Sequence, residues 1–465
     1  MYFWNDLDKY GDNAALITSS KKITYEQLEK NVNDLSSLYN DRNLAFLMCS
    51  NTTESITIYL SLLRNKIPTV LINEQIEENL LDNLLETYTP YYIWSIKDYP
   101  DMNPVYSIGT YKLYINTKGI QEEIHDELAL LLTTSGSTGS PKLVRQSYQN
   151  IDSNTSSIVK YLNINEKDCA ITTLPMHYTY GLSIINTHIS QGAGLFITDA
   201  NPLQADFWNI VSKYHITTFG GVPYTYEMLK RIHFFDKDIS SIRYITQAGG
   251  KLGIDMHKEF AEGCSNKGID FVIMYGQTEA TARMSYLPAS FAIEKAGSIG
   301  IVIPDGEFWL EDTEGKKISE PDTPGELIYR GKNVTMGYAI CREDLKKGYE
   351  NGDVLHTGDL AKFDKDGFYY VVGRLKRFLK IYGNRINLDE VELLLHDNGI
   401  YSVACGTDDN LKICVLSDED KTEAEKYILN NTNIPRFGVK VYKIDSIPRN
   451  SSGKILYSEL EKQLC

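Results

Sequence analysis

The sequence predicts an α/β protein with a large N-terminal domain of parallel sheets and flanking helices, a barrel-like subdomain, and a small α+β domain at the C-terminus. Two patterns support this. Through about residue 300, short apolar runs alternate with amphipathic stretches, as in parallel sheets covered by helices. After that, shorter strand-like pieces alternate with Gly and Asp turns, which favours antiparallel or barrel-like pairing.

The apolar runs of the first part have the length of buried strands. The stretches between them, such as Thr52–Arg64 and Tyr224–Ile232, have the spacing of helices. The predicted strands are Leu44–Cys49, Thr69–Ile72, Cys169–Thr173, Gly194–Ile197, Thr217–Gly220, Tyr244–Gln247 and Phe271–Met274.

A helical pattern resumes near the C-terminus. Helices are predicted over Asp389–Asn398 and about Thr422–Leu429, with strands Tyr401–Cys405 and Lys412–Leu416 between them. The region after about Gly373 is therefore predicted to be a small, separate α+β unit.

The composition argues against several classes of protein. With 47 Lys and Arg against 62 Asp and Glu, the formal net charge of −15 disfavours a large nucleic-acid footprint or adsorption to anionic lipid. The seven cysteines are scattered and never spaced as CxxC, so neither a disulfide framework nor a thiolate metal site is expected. The N-terminus lacks the features of a secretory signal, and no apolar run reaches about 18 residues. We expect a cytoplasmic enzyme with no nucleic-acid partner and no membrane insertion.

The most informative segment is Leu128–Lys142, in which an apolar strand runs into a loop of small and hydroxyl-bearing residues. Two glycines let the backbone approach an anion closely, the hydroxyls can donate to phosphate oxygens, and Lys142 adds a positive charge. A flexible Ser/Gly turn would have the same composition. The spacing is not that of a P-loop and GxSxG is absent, so kinase, GTPase and serine-hydrolase interpretations fail.

Within this segment, TTSGSTGSPK resembles the phosphate loop of the adenylate-forming superfamily, which includes acyl- and aryl-CoA ligases, peptide-synthetase adenylation domains and luciferases. Four further segments match that family in the right order: MYGQTEAT (Met274–Thr281), HTGD (His356–Asp359), GRLKRFLKIYGNR (Gly373–Arg385) and PRNSSGKI (Pro448–Ile455). The resemblance extends from about residue 130 to Lys454, whereas the N-terminal part carries no motif that we can assign.

The resemblance implies a binding site for ATP. Tyr275 would lie against the adenine, Asp359 would accept hydrogen bonds from both ribose hydroxyls, and Arg374 would reach the ribose. For Asp359, a solvated carboxylate in a turn is the ordinary alternative. The implied nucleotide-binding residues are Thr134, Ser135, Gly136, Ser137, Thr138, Gly139, Lys142, Gly249, Gly250, Tyr275, Gly276, Gln277, Asp359 and Arg374.

Three residues take catalytic roles by the same resemblance. Thr278 would donate to the α-phosphate, and Glu279 would hold Mg²⁺, which needs few protein ligands beside phosphate oxygens. Lys454 would bridge the attacking carboxylate and the nucleotide, neutralising the charge of the transition state. The alternatives are a solvated glutamate and an ordinary surface lysine.

The family also implies a division into domains. Residues 1–373 would form the N-terminal domain, 374–376 a hinge with Lys376 at its pivot, and 377–465 a mobile C-terminal domain. Past the hinge, Lys380, Gly383 and Arg385 would lie on a loop that serves the thiol step, where Gly383 leaves room for a pantetheine arm. A solvated basic strand edge is the alternative.

Two weaker matches concern the acyl substrate. LPMHYTYGLS (Leu174–Ser183) falls where the family forms one wall of the acyl pocket, and QAGGK (Gln247–Lys251) matches a glycine pair that faces adenine and the acyl group. The implied acyl-pocket residues are His177, Tyr180 and Gly181, although a buried core histidine would also explain His177. Because HYTYG offers no carboxylate for a substrate ammonium, we predict an uncharged acyl tail of a fatty, hydroxy or aryl acid.

The predicted reaction has two steps. The carboxylate of a small acid attacks the α-phosphate of MgATP to give an acyl-adenylate and pyrophosphate, and a thiol then takes the acyl group. The thiol would be that of CoA, as in an acyl-CoA synthetase, or the phosphopantetheine of an acyl carrier protein. A catalytically silent nucleotide-binding scaffold and an oxidative, luciferase-like use of the adenylate are further alternatives.

Overall fold

The computed structural model describes residues 1–119, 123–133, 142–375, 377–381, 384–432, 434–449 and 455–464. Within these residues the α-helices are α1 (Tyr25–Ser36), α2 (Thr53–Arg64), α3 (Glu78–Tyr88), α4 (Tyr148–Leu162), α5 (Thr179–Ser190), α6 (Ala205–Lys213), α7 (Pro223–Arg231), α8 (Ile254–Lys267), α9 (Leu388–Asp397), α10 (Asp418–Asn431) and α11 (Tyr457–Gln463).

The strands are β1 (Ala14–Ile17), β2 (Lys22–Thr24), β3 (Ala45–Cys49), β4 (Thr69–Asn73), β5 (Tyr92–Ser95), β6 (Pro104–Ile108), β7 (Tyr111–Ile115), β8 (Leu128–Thr133), β9 (Leu143–Ser147), β10 (Cys169–Ile171), β11 (Gly194–Phe196), β12 (Thr218–Gly221), β13 (Tyr244–Gln247), β14 (Asp270–Tyr275), β15 (Ser285–Leu287), β16 (Ile301–Val302), β17 (Glu307–Glu311), β18 (Lys317–Ile318), β19 (Gly325–Arg330), β20 (Gly337–Ala339), β21 (Val354–Phe363), β22 (Tyr369–Arg374), β23 (Phe378–Ile381), β24 (Asn384–Asn387), β25 (Ser402–Thr407), β26 (Asn410–Val415) and β27 (Val439–Lys443). Each strand predicted in the first part of the sequence overlaps one of these.

Two mixed sheets form most of the N-terminal part. One has nine strands in the order β16-β15-β14-β13-β12-β10-β11-β1-β2, and the other has eight in the order β20-β9-β8-β4-β3-β5-β7-β6. Their central strands pair in parallel, as predicted from their continuous apolar runs. The outer strands pair antiparallel, and a short turn joins β6 directly to its neighbour β7.

Two smaller units follow. Strands β17, β18, β19, β21 and β22 form a five-stranded antiparallel sheet, which is the subdomain predicted after residue 300. Strands β25, β26 and β27 form a three-stranded sheet whose core includes residues from α9 and α10, consistent with the α+β unit predicted at the C-terminus. No helix in the described part of the chain is both long and apolar enough to cross a membrane.

Two buried histidines make the fold sensitive to acid. His188 and His257 are each 1% exposed, and burial lowers the pKa of each from 6.5 to about 4. Below pH 6.5 the unfolded chain therefore binds protons that the folded chain does not, and the free energy of unfolding falls with pH down to about 4. At pH 5 the loss is about 2 kcal/mol for each histidine, at about 1.4 kcal/mol per pH unit.

We therefore expect urea unfolding to show lower stability at pH 5 than at pH 7. The Nδ1 atom of His257 accepts a hydrogen bond from the Gly297 amide at 3.1 Å, a contact that an asparagine carbonyl can also make. Burial lowers the pKa of His177 to about 4 as well, so His257→Asn should remove about a third of the pH dependence that these three histidines produce. His233→Asn, at an exposed position, should leave it unchanged. An unaltered pH dependence in His257→Asn would contradict this explanation.

Candidate active site

The motifs converge where the central strands of both sheets end. Strand β14 ends at Tyr275, β13 ends just before the Gly249–Gly250 pair, and β8 ends at Thr133, at the start of the predicted phosphate loop. Ligands in open α/β sheets bind at the carboxyl ends of parallel strands. The nine-stranded and eight-stranded sheets thus present the predicted nucleotide residues on the edge expected for a ligand site.

Asp359 is the centre of a buried hydrogen-bond cluster. It is 3% exposed and lies on β21 opposite Arg374 of β22, whose Nε donates to Oδ1 at 3.0 Å. Oδ2 accepts from Gln277 Nε2 at 2.9 Å and from the Tyr275 hydroxyl. The structure therefore brings together four of the residues predicted to bind the nucleotide: Tyr275, Gln277, Asp359 and Arg374.

In this cluster, the Tyr275 hydroxyl stays protonated and the surrounding donors orient the Asp359 carboxylate. Burial, and then the neighbouring Asp359 carboxylate, raise the pKa of Tyr275 well above its ordinary value, so its hydroxyl remains a donor at neutral pH. Gln277 also donates to the Thr357 carbonyl at 3.0 Å, which ties it to β21. Three donors converge on one carboxylate, an arrangement that fixes its orientation. The predicted contact of Asp359 with ribose hydroxyls stays a prediction.

The segment after Tyr275 leaves the sheet in a tight turn, and the close packing of this turn requires a glycine at position 276. A Cβ atom on Gly276 would lie 1.9 Å from the Ala282 carbonyl oxygen, a distance that no side chain can occupy. Thr278 and Glu279 lie in a single 3₁₀ turn (Thr278–Ala280), and Thr281 closes it with a φ of +63°. The chain therefore leaves and rejoins the sheet with two of the three predicted catalytic residues, Thr278 and Glu279, at the tip.

Glu279 is held by a residue that the sequence did not indicate. The Tyr338 hydroxyl donates to Glu279 Oε1 at 2.7 Å. Lys142, at the end of the predicted phosphate loop, places its Nζ 3.4 Å from the centroid of the Tyr338 ring. Tyr338 thus joins the candidate metal ligand to the candidate phosphate lysine.

The register of β20 produces this contact. Tyr338 pairs with Val144 of β9, the strand that begins immediately after Lys142. In the sequence, Gly337–Tyr338 looks like an ordinary strand start far from any motif. The contact between Tyr338 and Glu279 arises from the long-range pairing of β20 with β9, so no local pattern in the sequence indicates Tyr338.

The predicted acyl-pocket residues lie around the start of α5. The His177 Nδ1 atom is buried without a hydrogen-bond partner among the described residues, and burial lowers the pKa of His177 to about 4, so the ring is neutral at pH 7. A Cβ atom on Gly181 would lie 2.3 Å from the Pro175 carbonyl oxygen, so glycine is needed for this close packing. Tyr180 is fully enclosed and bonds Thr246, as a core residue does.

The glycine pair lies beside this wall. A Cβ atom on Gly249 would lie 2.6 Å from the Tyr178 hydroxyl, and one on Gly250 would lie 3.1 Å from the Pro223 ring. Arg283 lies against Tyr180, with its guanidinium carbon 4.0 Å from the ring centroid. Arg283 is a further residue of this region that no family motif indicated, although an arginine between Ala282 and Met284 stands out among small and apolar neighbours.

Several predicted residues lie outside the described part of the chain. These are Thr134, Ser135, Gly136, Ser137, Thr138, Gly139, Lys376, Gly383 and Lys454. Lys380 is exposed on β23, where it pairs in register with Arg385 of β24, whose side chain is likewise not described. The roles of all these residues stay predictions.

Comparison with known proteins gives a family match. A family model described as "AMP-binding enzyme" matches residues 3–339, which is well over half of the chain. The match begins in the N-terminal part that carries no assignable motif and ends at the last residue of β20.

Curated relatives and solved structures agree. An oxalate–CoA ligase of Arabidopsis thaliana is 31% identical over 346 residues, which cover 71% of this chain and 66% of the relative. A 2-succinylbenzoate–CoA ligase of Bacillus pumilus is 26% identical and is matched over 97% of this chain and 95% of its own length. The O-succinylbenzoate coenzyme A synthetase of Bacillus subtilis, solved with AMP, superposes with a TM-score of 0.79 at 22% identity, covering 99% of this chain and 98% of that one.

Proposed function

The chain belongs to the AMP-binding enzyme family, and on that premise we propose that it is an acyl-CoA synthetase. It activates a small carboxylic acid with ATP as an acyl-adenylate, releases pyrophosphate, and transfers the acyl group to CoA. The observation that carries the proposal is the convergence of the Asp359 cluster and the Glu279 turn on one sheet edge. Relatives named as CoA ligases match nearly the whole chain, which supports this assignment.

We assign nucleotide binding to the residues that the structure groups together. Asp359 retains acceptor capacity on Oδ1 for a ribose hydroxyl, because among the described residues only Arg374 is bonded to that oxygen. Lys142 and the hydroxyls of the preceding loop would hold the phosphates, and Thr278 would donate to the α-phosphate. In this arrangement, the protein positions the reactants and offsets their charge, which is what an in-line displacement at phosphorus requires.

The residues present fit a magnesium ion carried with ATP. No cluster of three or more His, Cys, Asp or Glu suited to a metal ion occurs within the described ranges. A magnesium ion that is held mainly by phosphate oxygens needs only one or two carboxylates, and Glu279 provides one. When bound, the ion neutralises charge on the phosphates, while Tyr338 holds the Glu279 carboxylate in orientation.

This assignment gives a prediction about metal dependence. Glu279→Gln replaces the carboxylate with a weaker ligand for a hard cation, so pyrophosphate release should fall and require more Mg²⁺. Tyr338→Phe removes only the 2.7 Å hydrogen bond and should raise the half-saturating Mg²⁺ concentration about tenfold or more.

Both variants would be measured by Mg²⁺ titrations of pyrophosphate release, with circular dichroism to verify the fold. Tyr349→Phe, at an exposed tyrosine, serves as the control. Unchanged titrations would remove Glu279 from the metal site.

CoA is the acceptor that the relatives favour, and a carrier protein is the second candidate. The names of the relatives specify CoA. The net charge of −15 further disfavours docking of an acidic carrier. The cytoplasmic location stays a prediction.

The test is a panel of carboxylic acids in a pyrophosphate-release assay with ATP and Mg²⁺, run with and without CoA. We expect release with at least one acid, and acyl-CoA by mass spectrometry only when CoA is present. Release without any acyl-CoA, followed by loading of phosphopantetheine on a carrier protein, would favour the second acceptor. No release with any acid would overturn the proposal.

A further inference from the structure

Arg283 is a buried cation whose side chain is weakly bonded. It is 3% exposed, and a guanidinium stays protonated in proteins. Its side-chain nitrogens reach Met274 Sδ at 3.4 Å, the Ala282 carbonyl at 3.3 Å and Ser183 Oγ at 3.3 Å, all longer than an ordinary charged hydrogen bond. Among the residues that the structure describes, no carboxylate forms an ion pair with it.

The backbone of Arg283 is held much more firmly than its side chain. Its carbonyl oxygen accepts from the side-chain amides of Asn154 and Asn333, each at 2.9 Å. The position is therefore fixed while the guanidinium retains unused donors.

Another buried arginine of this chain shows what a structural role looks like. Arg145 is also buried, at 0% exposure, but it forms a 2.6 Å ion pair with Glu350. It further donates to the carbonyls of Met336 and Tyr338 at 2.9 and 3.0 Å. Arg283 has three longer hydrogen bonds, the Tyr161 hydroxyl and the Tyr180 ring beside it, but no carboxylate among the described residues. A buried charge without a counterion costs several kcal/mol.

Two titratable neighbours of Arg283 in the described part of the chain carry no charge at neutral pH. Burial raises the pKa of Tyr180 to about 12, although the guanidinium acts against this, so the hydroxyl is neutral at pH 7. His188 is neutral there as well, since burial lowers its pKa to about 4. Within the described ranges, the guanidinium therefore has a positive charge with no anionic partner.

A cavity lies beside this charge and close to the nucleotide motif. It has a volume of about 20 Å³, and its lining includes Tyr180, Ser183, His188, Thr246, Met274 and Arg283. The Cα atom of Arg283 lies 2.8 Å from the Cβ that Gly276 would carry. The backbone of Arg283 therefore lies beside the predicted nucleotide site, and its guanidinium lies against Tyr180 of the predicted acyl wall.

We propose that Arg283 binds a second carboxylate on the acyl substrate, so that the enzyme prefers a short dicarboxylic acid to the monocarboxylic acid of the same length. The proposal rests on the proposed function and names the substrate class of that site. A guanidinium fork matches a carboxylate in two parallel bonds.

This revises the expectation of an uncharged acyl tail. That expectation came from the lack of an acidic residue in Leu174–Ser183, which argues only against a substrate ammonium. A buried guanidinium argues against the ammonium as well, but it favours an anion. The substrate that the interior accommodates best is therefore anionic at both ends.

The test compares matched acids in the pyrophosphate-release assay: malonate, succinate and glutarate against propanoate, butanoate and pentanoate. For the wild-type enzyme, kcat/KM should be higher for one of the dicarboxylic acids than for the monocarboxylic acid of the same length. Arg283→Met should lower kcat/KM for that acid by about 10²–10³-fold, the scale for removing one partner of a buried charge pair, and leave the monocarboxylates equal or better. Arg283→Lys should restore part of the preference, and Arg330→Met, which removes an exposed charge, should not alter it.

A stability measurement separates this role from a structural one. If Arg283 serves the substrate, Arg283→Met removes an unpaired buried charge, so Tm should be unchanged or higher in the absence of acid. A lower Tm together with equal losses for both classes of acid would make the residue structural and overturn the inference. A wild-type preference for monocarboxylates would also overturn it while leaving the proposed function in place. If none of the acids supported pyrophosphate release, the proposed function would be overturned and the inference with it.

Discussion

Replacing Lys454 with alanine should slow pyrophosphate release from ATP and the acid by about 10²–10³-fold, the scale for losing one charge contact in the transition state. The attacking carboxylate and the α-phosphate are both negative, and the lysine would neutralise the charge that accumulates between them. Once the acyl-adenylate exists, that task is finished. Transfer from a supplied acyl-adenylate to CoA should therefore continue nearly unchanged.

The ends of the segment that carries Lys454 lie on the appropriate side of the molecule. Arg449 and Ile455 form an antiparallel bridge. The Arg449 guanidinium lies 5.6 Å from the centroid of the Tyr224 ring. Tyr224 follows Pro223 on α7, the residue that contacts Gly250 in the candidate site.

The measurement is pyrophosphate release in one assay and thioester formation from synthetic acyl-adenylate in another. Lys440→Ala, on the exposed side of β27, removes a lysine from the same domain and should affect neither step. If Lys454→Ala reduced both steps equally, the residue would be structural. If it reduced neither, the match of PRNSSGKI to the family would carry no function.

Much of this site was predictable because its chemistry is encoded locally. A buried parallel strand is apolar along its whole length, so β13 and β14 are visible in the sequence, and the motifs follow directly at their ends. Asp359 and Arg374 were identified by the resemblance to a family, and the register of β21 with β22 places them opposite one another.

What escaped prediction depends on contacts between distant parts of the chain. Strand β9 is fully buried but contains Arg145, whose charge is satisfied by Glu350, so LVRQS does not look like an apolar run. Tyr338 reaches Glu279 only because β20 pairs with that strand. The same holds for the difference between Arg145 and Arg283. Whether a buried arginine has an ionic partner depends on residues that are distant in the sequence.

The second large effect concerns the step from one half-reaction to the other. The family resemblance assigns Lys454 and the loop bearing Lys380 and Arg385 to the same C-terminal domain but to different steps. If they occupy different faces of that domain, both cannot reach the acyl-phosphate at once. The family resemblance implies that the domain rotates about the hinge after pyrophosphate leaves.

The described residues on either side of Lys376 attach to different elements of the fold. Before it, the Leu375 amide donates to the Gly358 carbonyl at 2.8 Å, in the five-stranded sheet. After it, Arg377 forms ion pairs with Asp389 and Glu392 of α9. The backbone between these attachments is therefore the shortest segment through which a rotation could pass, which supports position 376 as the pivot.

Lys376→Pro should leave pyrophosphate release largely intact and abolish thioester formation, the reverse of the pattern expected for Lys454→Ala. Proline fixes φ near −65° and also restricts the residue before it, so a pivot that must change φ and ψ would be held in one arrangement. Lys376→Ala is the matched control, because it removes the same side chain but leaves the backbone free, and both steps should then proceed.

Each half-reaction would be measured separately for both variants, with ATP–pyrophosphate exchange for the first and synthetic acyl-adenylate plus CoA for the second. Equal losses in the two steps for Lys376→Pro would mean that one arrangement of the domains serves both, and rotation about position 376 would then have no part in the reaction.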